Sequence, residues 1–254
     1  MERHDSGFTV IEVTLFLGFT AMLFIITLLG TGAFVREARY GDSMRRLESF
    51  LQSQYSEVVS GVNPRPDTVG CNPAGNVTTG SPTVPGTSDK CLLMGKLIVF
   101  TADSDTVDTY YILGIEPVSP PDPAVTPVSA IIESYNPKIV DTVGKESFES
   151  PWGMVFKDGS KSINPRNADA IAFIRSPNSS QVVTYVFDIK SDGWFAGGNG
   201  PTEASQVPRT TGATANFCFE SPDNNKVAAI TLAVGQGSSV ISTKYDTTVA
   251  LSCQ

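Results

Sequence analysis

Side chains able to do chemistry are sparse in this sequence, and their spacing argues against most of the chemistry they could do. A single histidine occurs, His4, so catalysis or metal binding that rests on imidazole has one residue to draw on, and it lies in a short polar leader. The four cysteines, Cys71, Cys91, Cys218 and Cys253, form no CxxC pair and find no further histidine to complete a zinc site. Two disulfides in an oxidising compartment are the better expectation. Proximity in sequence suggests Cys71 with Cys91 and Cys218 with Cys253, while the other two connectivities stay open. No serine has a histidine partner, and no glycine-rich phosphate loop of the Walker type is present. Asp103, Asp105 and Asp108 put three carboxylates in one turn. They lack the remaining ligands of an EF-hand loop and read as a solvated hairpin turn. The sequons at Asn76 and Asn178 arise often by chance, and Trp152, Trp194 and Phe195 read as packing aromatics. No catalytic, cofactor or metal site is expected, and the chain is not expected to be an enzyme.

The composition narrows the class from another side. A formal charge of -8 over 254 residues gives no general electrostatic affinity for nucleic acid. Hydrophobic content of 41% with a mean hydropathy near zero fits an ordinary globular protein carrying one apolar segment. That segment is at the start. From Val13 to Val35 the chain carries no charge, roughly 23 residues, or about 34 Å of helix, which is enough to cross a bilayer core. Glu12 stands at its head, where an ionisable group in lipid is costly and calls for a partner.

The residues around that carboxylate carry a resemblance. Gly7-Phe8-Thr9-Val10-Ile11-Glu12 resembles the processing motif of the type IV prepilins: a glycine, an aromatic, a Thr-Leu-Ile-type stretch and a glutamate, with Val10 here in the commoner leucine's place. The resemblance implies cleavage by a prepilin peptidase between Gly7 and Phe8, methylation of the new amine of Phe8, and pairing of Glu12 with the amine of a neighbouring pilin or pseudopilin subunit during assembly. In a low dielectric such a pair fixes the axial register of adjacent helices more than it adds stability. It further implies a single-pass membrane protein before assembly, with an extracytoplasmic domain that reaches the cell surface in a pilus. Three other readings compete: a plain signal anchor with Glu12 favoured by the helix dipole, a secretory signal cut near Gly32 or Ala33, and a membrane-anchored surface binding protein or adhesin that never polymerises. Arg36, Arg39, Arg45 and Arg46 follow the span and run against a positive-inside count, although long domains translocate largely regardless of charge.

The elements that position these residues follow from periodicity. Met44, Leu47, Leu51, Tyr55 and Val58 recur at spacings of three and four, which continues the membrane helix as an amphipathic one ending between Ser60 and Pro64. A coiled-coil stalk is disfavoured because the stripe is short. At Gly30 and Gly32 the prepilin resemblance implies a helix able to bend or melt during assembly, and packing of the glycines against a neighbouring helix would explain them equally well. Residues 62–90 read as a surface loop. Strands are expected at 92–101 and 109–115 as a hairpin, then at 154–157, 170–175, 182–188, 217–220, 227–234 and 240–245. The expected organisation is a leader at 1–7, a transmembrane and assembly helix at 8–35, its amphipathic continuation at 36–61, and an extracytoplasmic β-rich domain at 62–254. The fold class is α+β and pilin-like, one long N-terminal helix packed on a largely antiparallel sheet.

Overall fold

The computed structural model describes residues 9–61, 69–71, 77–79, 91–140, 146–157, 170–187, 214–221, 227–233, 235–236 and 241–244. In chain order the elements are α1 (Val10–Ser60), β1 (Val69–Cys71), β2 (Val77–Thr79), β3 (Cys91–Phe100), β4 (Thr106–Ile115), α2 (Val128–Ser134), β5 (Lys138–Val140), β6 (Glu146–Glu149), β7 (Val155–Lys157), β8 (Ala170–Arg175), β9 (Val182–Phe187), β10 (Thr214–Glu220), β11 (Val227–Ala233), β12 (Gly235–Gln236) and β13 (Ile241–Lys244). The chain forms two compact units, Met1–Asp42 and Ser43–Gln254. The boundary falls within α1, so the second part of the amphipathic helix belongs with the sheets. The fold is α+β, and every described strand pair is antiparallel.

Within the first unit, α1 is apolar and exposed, with Ile11, Leu15, Phe16, Phe19, Phe24 and Phe34 among the large side chains facing outward. It is one helix long and apolar enough to cross a membrane. Thr14, Thr20, Thr27 and Thr31 each return their hydroxyl to a carbonyl one turn back, which satisfies a polar group without help from water. The helix is unbroken through Gly30 and Gly32, and open space lies over both.

In the second unit the larger sheet runs β12-β9-β8-β3-β4-β5, with β6 also on β4, and the smaller runs β13-β11-β10-β7. Register explains how the larger sheet buries both faces. Leu97 pairs with Ala172 and Tyr110, and Val99 with Ala170, so these side chains share one face, which α2 covers with Ile131 and Ile132. One residue along, Lys96 pairs with Phe173 and Tyr111, and their shared face receives α1. Tyr55 meets Phe173 edge-on with ring centroids 5.3 Å apart, and Phe50 stacks on Phe148 at 4.6 Å. Met44, Leu47 and Leu51 on the same helix stripe are fully buried, and Ser43 donates to the Pro151 carbonyl at 2.5 Å. Burial on both faces accounts for the nearly continuous apolar reading of β3 and β8 where a one-faced strand would alternate. Phe100 at the end of β3 packs with Phe156, Phe217 and Phe219 of the smaller sheet, and this joins the two sheets in one core.

Several expectations change. The loop at 62–90 contains a two-stranded ribbon, β1 with β2. After a proline-rich connector at 117–127 the chain adds α2, β5 and β6, which periodicity did not show because each is seven residues or fewer. Of the core and turn placements open to Trp152, the structure gives the turn: it is half exposed at a positive φ of 64° in Pro151–Gly153. Trp194, Phe195 and the Asn76 sequon lie outside the described residues.

Candidate functional site

The head of α1 is where the sequence placed the chemistry. Thr9 precedes the helix and Glu12 lies in its first turn. The Glu12 N–H donates to Thr9 Oγ1 at 3.3 Å, and the Thr9 N–H donates back to Glu12 Oε2 at 3.5 Å. This reciprocal arrangement is a capping box, which satisfies donors that a helix N-terminus leaves without partners and puts a carboxylate at the positive end of the dipole. Both contacts are at the long limit of hydrogen bonding, and both groups are exposed. The Thr-x-x-Glu spacing was present in the sequence, and it is the signal that would have found this cap. Gly7 and Phe8 lie outside the described residues.

Of the cysteines, Cys218 is buried in β10 and disulfide-bonded. Cys71 closes β1 and Cys91 opens β3, and Cys253 lies outside the described residues. Asp103 and Asp105 lie in the turn before β4, but Asp108 is within β4, so the three carboxylates do not share one turn, and no group of three or more side chains that could hold a metal ion occurs among the described residues. Asp103 binds Lys157 at 2.8 Å, and Lys157 also meets Glu220 at 3.2 Å. These bonds to Asp103 and then Glu220 raise the lysine's pKa. The turn is held to β7 by Asp103 N–H to the Phe156 carbonyl and Phe156 N–H to the Ser104 carbonyl, so it is a joint between the two sheets.

The structure adds a polar cluster that sequence reading missed. Lys96, in the middle of β3, is 1% exposed and is among the largest fully buried side chains described. Its ammonium donates to Gln54 Oε1 at 2.7 Å and Glu57 Oε2 at 2.5 Å, both on α1, and to Glu146 Oε2 at 3.4 Å on β6. It also sits 5.5 Å from the centroid of the Tyr111 ring, whose hydroxyl donates to Glu146 at 3.1 Å. Burial, then the Glu146 charge and hydrogen bond, then Glu57, push the Tyr111 pKa up to about 12. A buried lysine is tolerated when paired and hydrogen-bonded. A lone lysine inside an apolar ten-residue strand, CLLMGKLIVF, was the available signal. Beside it lies a pocket of about 210 Å³ lined by Glu57, Lys96, Val58, Gly61 and Arg175 among others. No family model, curated protein or solved structure matches the chain.

Proposed function

We propose that this chain is a structural subunit of a type IV pilus-like filament or of a type II secretion or DNA-uptake pseudopilus, cut after Gly7 by a prepilin peptidase and built into the filament through α1. The observation that carries the reading is α1 itself. Its first part is exposed and uncharged between Glu12 and Arg36, its head bears Glu12, and its later part is packed on an antiparallel sheet. In the membrane the exposed apolar side chains face lipid, and in a filament they face the same segment of other copies. Glu12 then meets the amine of Phe8 on a neighbour. Releasing its long capping bonds costs on the order of 1 kcal/mol, which a pair in low dielectric offsets. The size of the Ser43–Gln254 unit favours a minor, tip or initiating component. If the protein equals the main subunit in sheared filaments, the minor-component reading fails.

The capping box also favours a second reading. Glu12 is already partnered within its own chain, so a non-polymerising anchored surface protein has no need of a neighbour's amine. Glu12→Ala separates the two. The filament reading expects normal processing with loss of the protein from sheared filaments. Incorporation at the wild-type level would exclude a pairing role.

A further inference from the structure

From the cluster around Lys96 we infer that this chain forms an internal isopeptide bond between Lys96 Nζ and Gln54 Cδ, a covalent tie between β3 and α1. This goes beyond the filament reading and does not rest on it. Three features place the reactants together. The amine and amide are both buried, Lys96 at 1% and Gln54 at 4% exposure, so water competes poorly for the carbonyl. With Nζ 2.7 Å from Gln54 Oε1 and a C=O bond of about 1.2 Å, the carbonyl carbon lies about 3–4 Å from the nitrogen, near attack distance. The terminal torsion of glutamine is broad, so the amide can turn its face to the amine without leaving a rotamer well. The third feature is a base: Glu57 Oε2 stands 2.5 Å from the same nitrogen, while Glu146 at 3.4 Å and the Tyr111 ring hold the lysine in place.

The step balances without an oxidant or co-reactant. Glu57 takes one proton from the Lys96 ammonium, and the freed amine attacks Gln54 Cδ to give a tetrahedral centre. Glu57 passes that proton to the amide nitrogen, then relays a second from the new C–N nitrogen as the Cδ–Nε2 bond breaks. A lysine ammonium and a primary amide become a secondary amide and an ammonium ion, and Glu57 returns to its starting state. Glu57, which takes up and hands on the protons, is itself half-buried and borders the adjacent pocket together with Lys96, so the ammonium leaves past that side chain. The reaction happens once per chain, so a slow rate suffices. The product joins residues 42 positions apart and converts the packing of α1 on the sheet into a bond that pulling on the helix cannot open.

Peptide mapping of the full chain, extracted from membranes in detergent and fully reduced, tests this. The expected result is a branched peptide joining the Gln54 and Lys96 segments, about 17 Da lighter than their sum because ammonia has left. Linear peptides carrying unmodified Gln54 and Lys96 would overturn it and leave a non-covalent ion cluster. A loss of about 17 Da without the branched peptide overturns it as well, since cyclisation of an amide side chain elsewhere with loss of ammonia gives the same mass. Lys96→Arg keeps the charge and should abolish the branch. Glu57→Gln should lower the cross-linked fraction at least tenfold, and a fully branched Glu57→Gln chain would remove Glu57 as the base.

Discussion

Gly95 offers a sharp test of how the central sheet is built. It stands in β3 next to the register irregularity at Met94 and opposite Ile174 of β8. A methyl group placed there runs into the carbonyl oxygen of Phe173, lies 2.9 Å from that carbonyl carbon and 3.0 Å from Ile174 Cα. All three obstacles are backbone, so no side chain can swing aside, and β3 and β8 have to part at the residues that seat Lys96 against Phe173. Overpacking a well-packed core costs about 1–3 kcal/mol, and a rigid obstacle puts Gly95→Ala at the upper end, about 3 kcal/mol. For a domain of this size each kcal/mol moves Tm by about 2–4 °C, so the expected loss is about 6–12 °C. Gly114→Ala is the internal control. There the added methyl meets mainly Met94 Sδ, the end of a flexible side chain, with the Tyr135 carbonyl at 3.1 Å, so methionine can adjust and about 1–2 kcal/mol is expected. Thermal unfolding of the full chain in detergent, followed by near-ultraviolet circular dichroism, reads the packed aromatics. A Gly95→Ala melt within about 2 °C of wild type, or a larger loss for Gly114→Ala, would refute this account of strand approach.

Other predictions reach different parts of the molecule. Burial, followed by Glu146 for Tyr111 and by Glu133 for Tyr185, pushes both phenols up to about 12. Unfolded tyrosines release their protons near 10, so between pH 10 and 12 the unfolded chain binds fewer protons and stability falls as pH rises. The protection is complete below pH 10; denaturant titrations should show a shallower fall across that window for Tyr185→Phe, by about 1–2 kcal/mol, and a smaller change for Tyr111→Phe, whose interactions nearby solvent screens. Cys218→Ser should cost about 2–5 kcal/mol, read as a lower denaturant midpoint, and non-reducing peptide mapping should pair Cys218 with Cys253. Thr9→Val removes the side-chain half of the capping box and should leave processing intact while lowering helicity at the head of α1, seen as faster amide exchange over the first turn.

What the sequence disclosed depended on how local the signal was. The stripe of Met44, Leu47, Leu51, Tyr55 and Val58 depends only on helix periodicity, and α1 ends at Ser60, where Gly61 takes a φ of 67°. Strand β8 matches its expected bounds, β3 is shifted by one residue at both ends, β7 begins one residue later, and β9 and β11 begin where expected, because apolar runs edged by turn residues need no distant information. Strand β6, with the sequence ESFE, has no such run and becomes a strand only because β4 lies beside it. The Lys96 cluster could not be read for a similar reason. Gln54, Glu57, Lys96, Tyr111 and Glu146 come from four elements, and only Lys96, set in an apolar run, stands out, with nothing in the sequence to say which distant groups meet it. At the N-terminus the reverse held: Glu12 stood out from sequence alone, whereas its capping by Thr9 emerged from the backbone geometry.

The mature N-terminus of the protein recovered from the cell surface tests the filament account most directly. Mass spectrometry of that form should find a chain beginning at N-methylated Phe8. An intact Met1, or a start near Ala33, would contradict the account and leave an anchored or secreted domain whose Glu12 only caps its own helix.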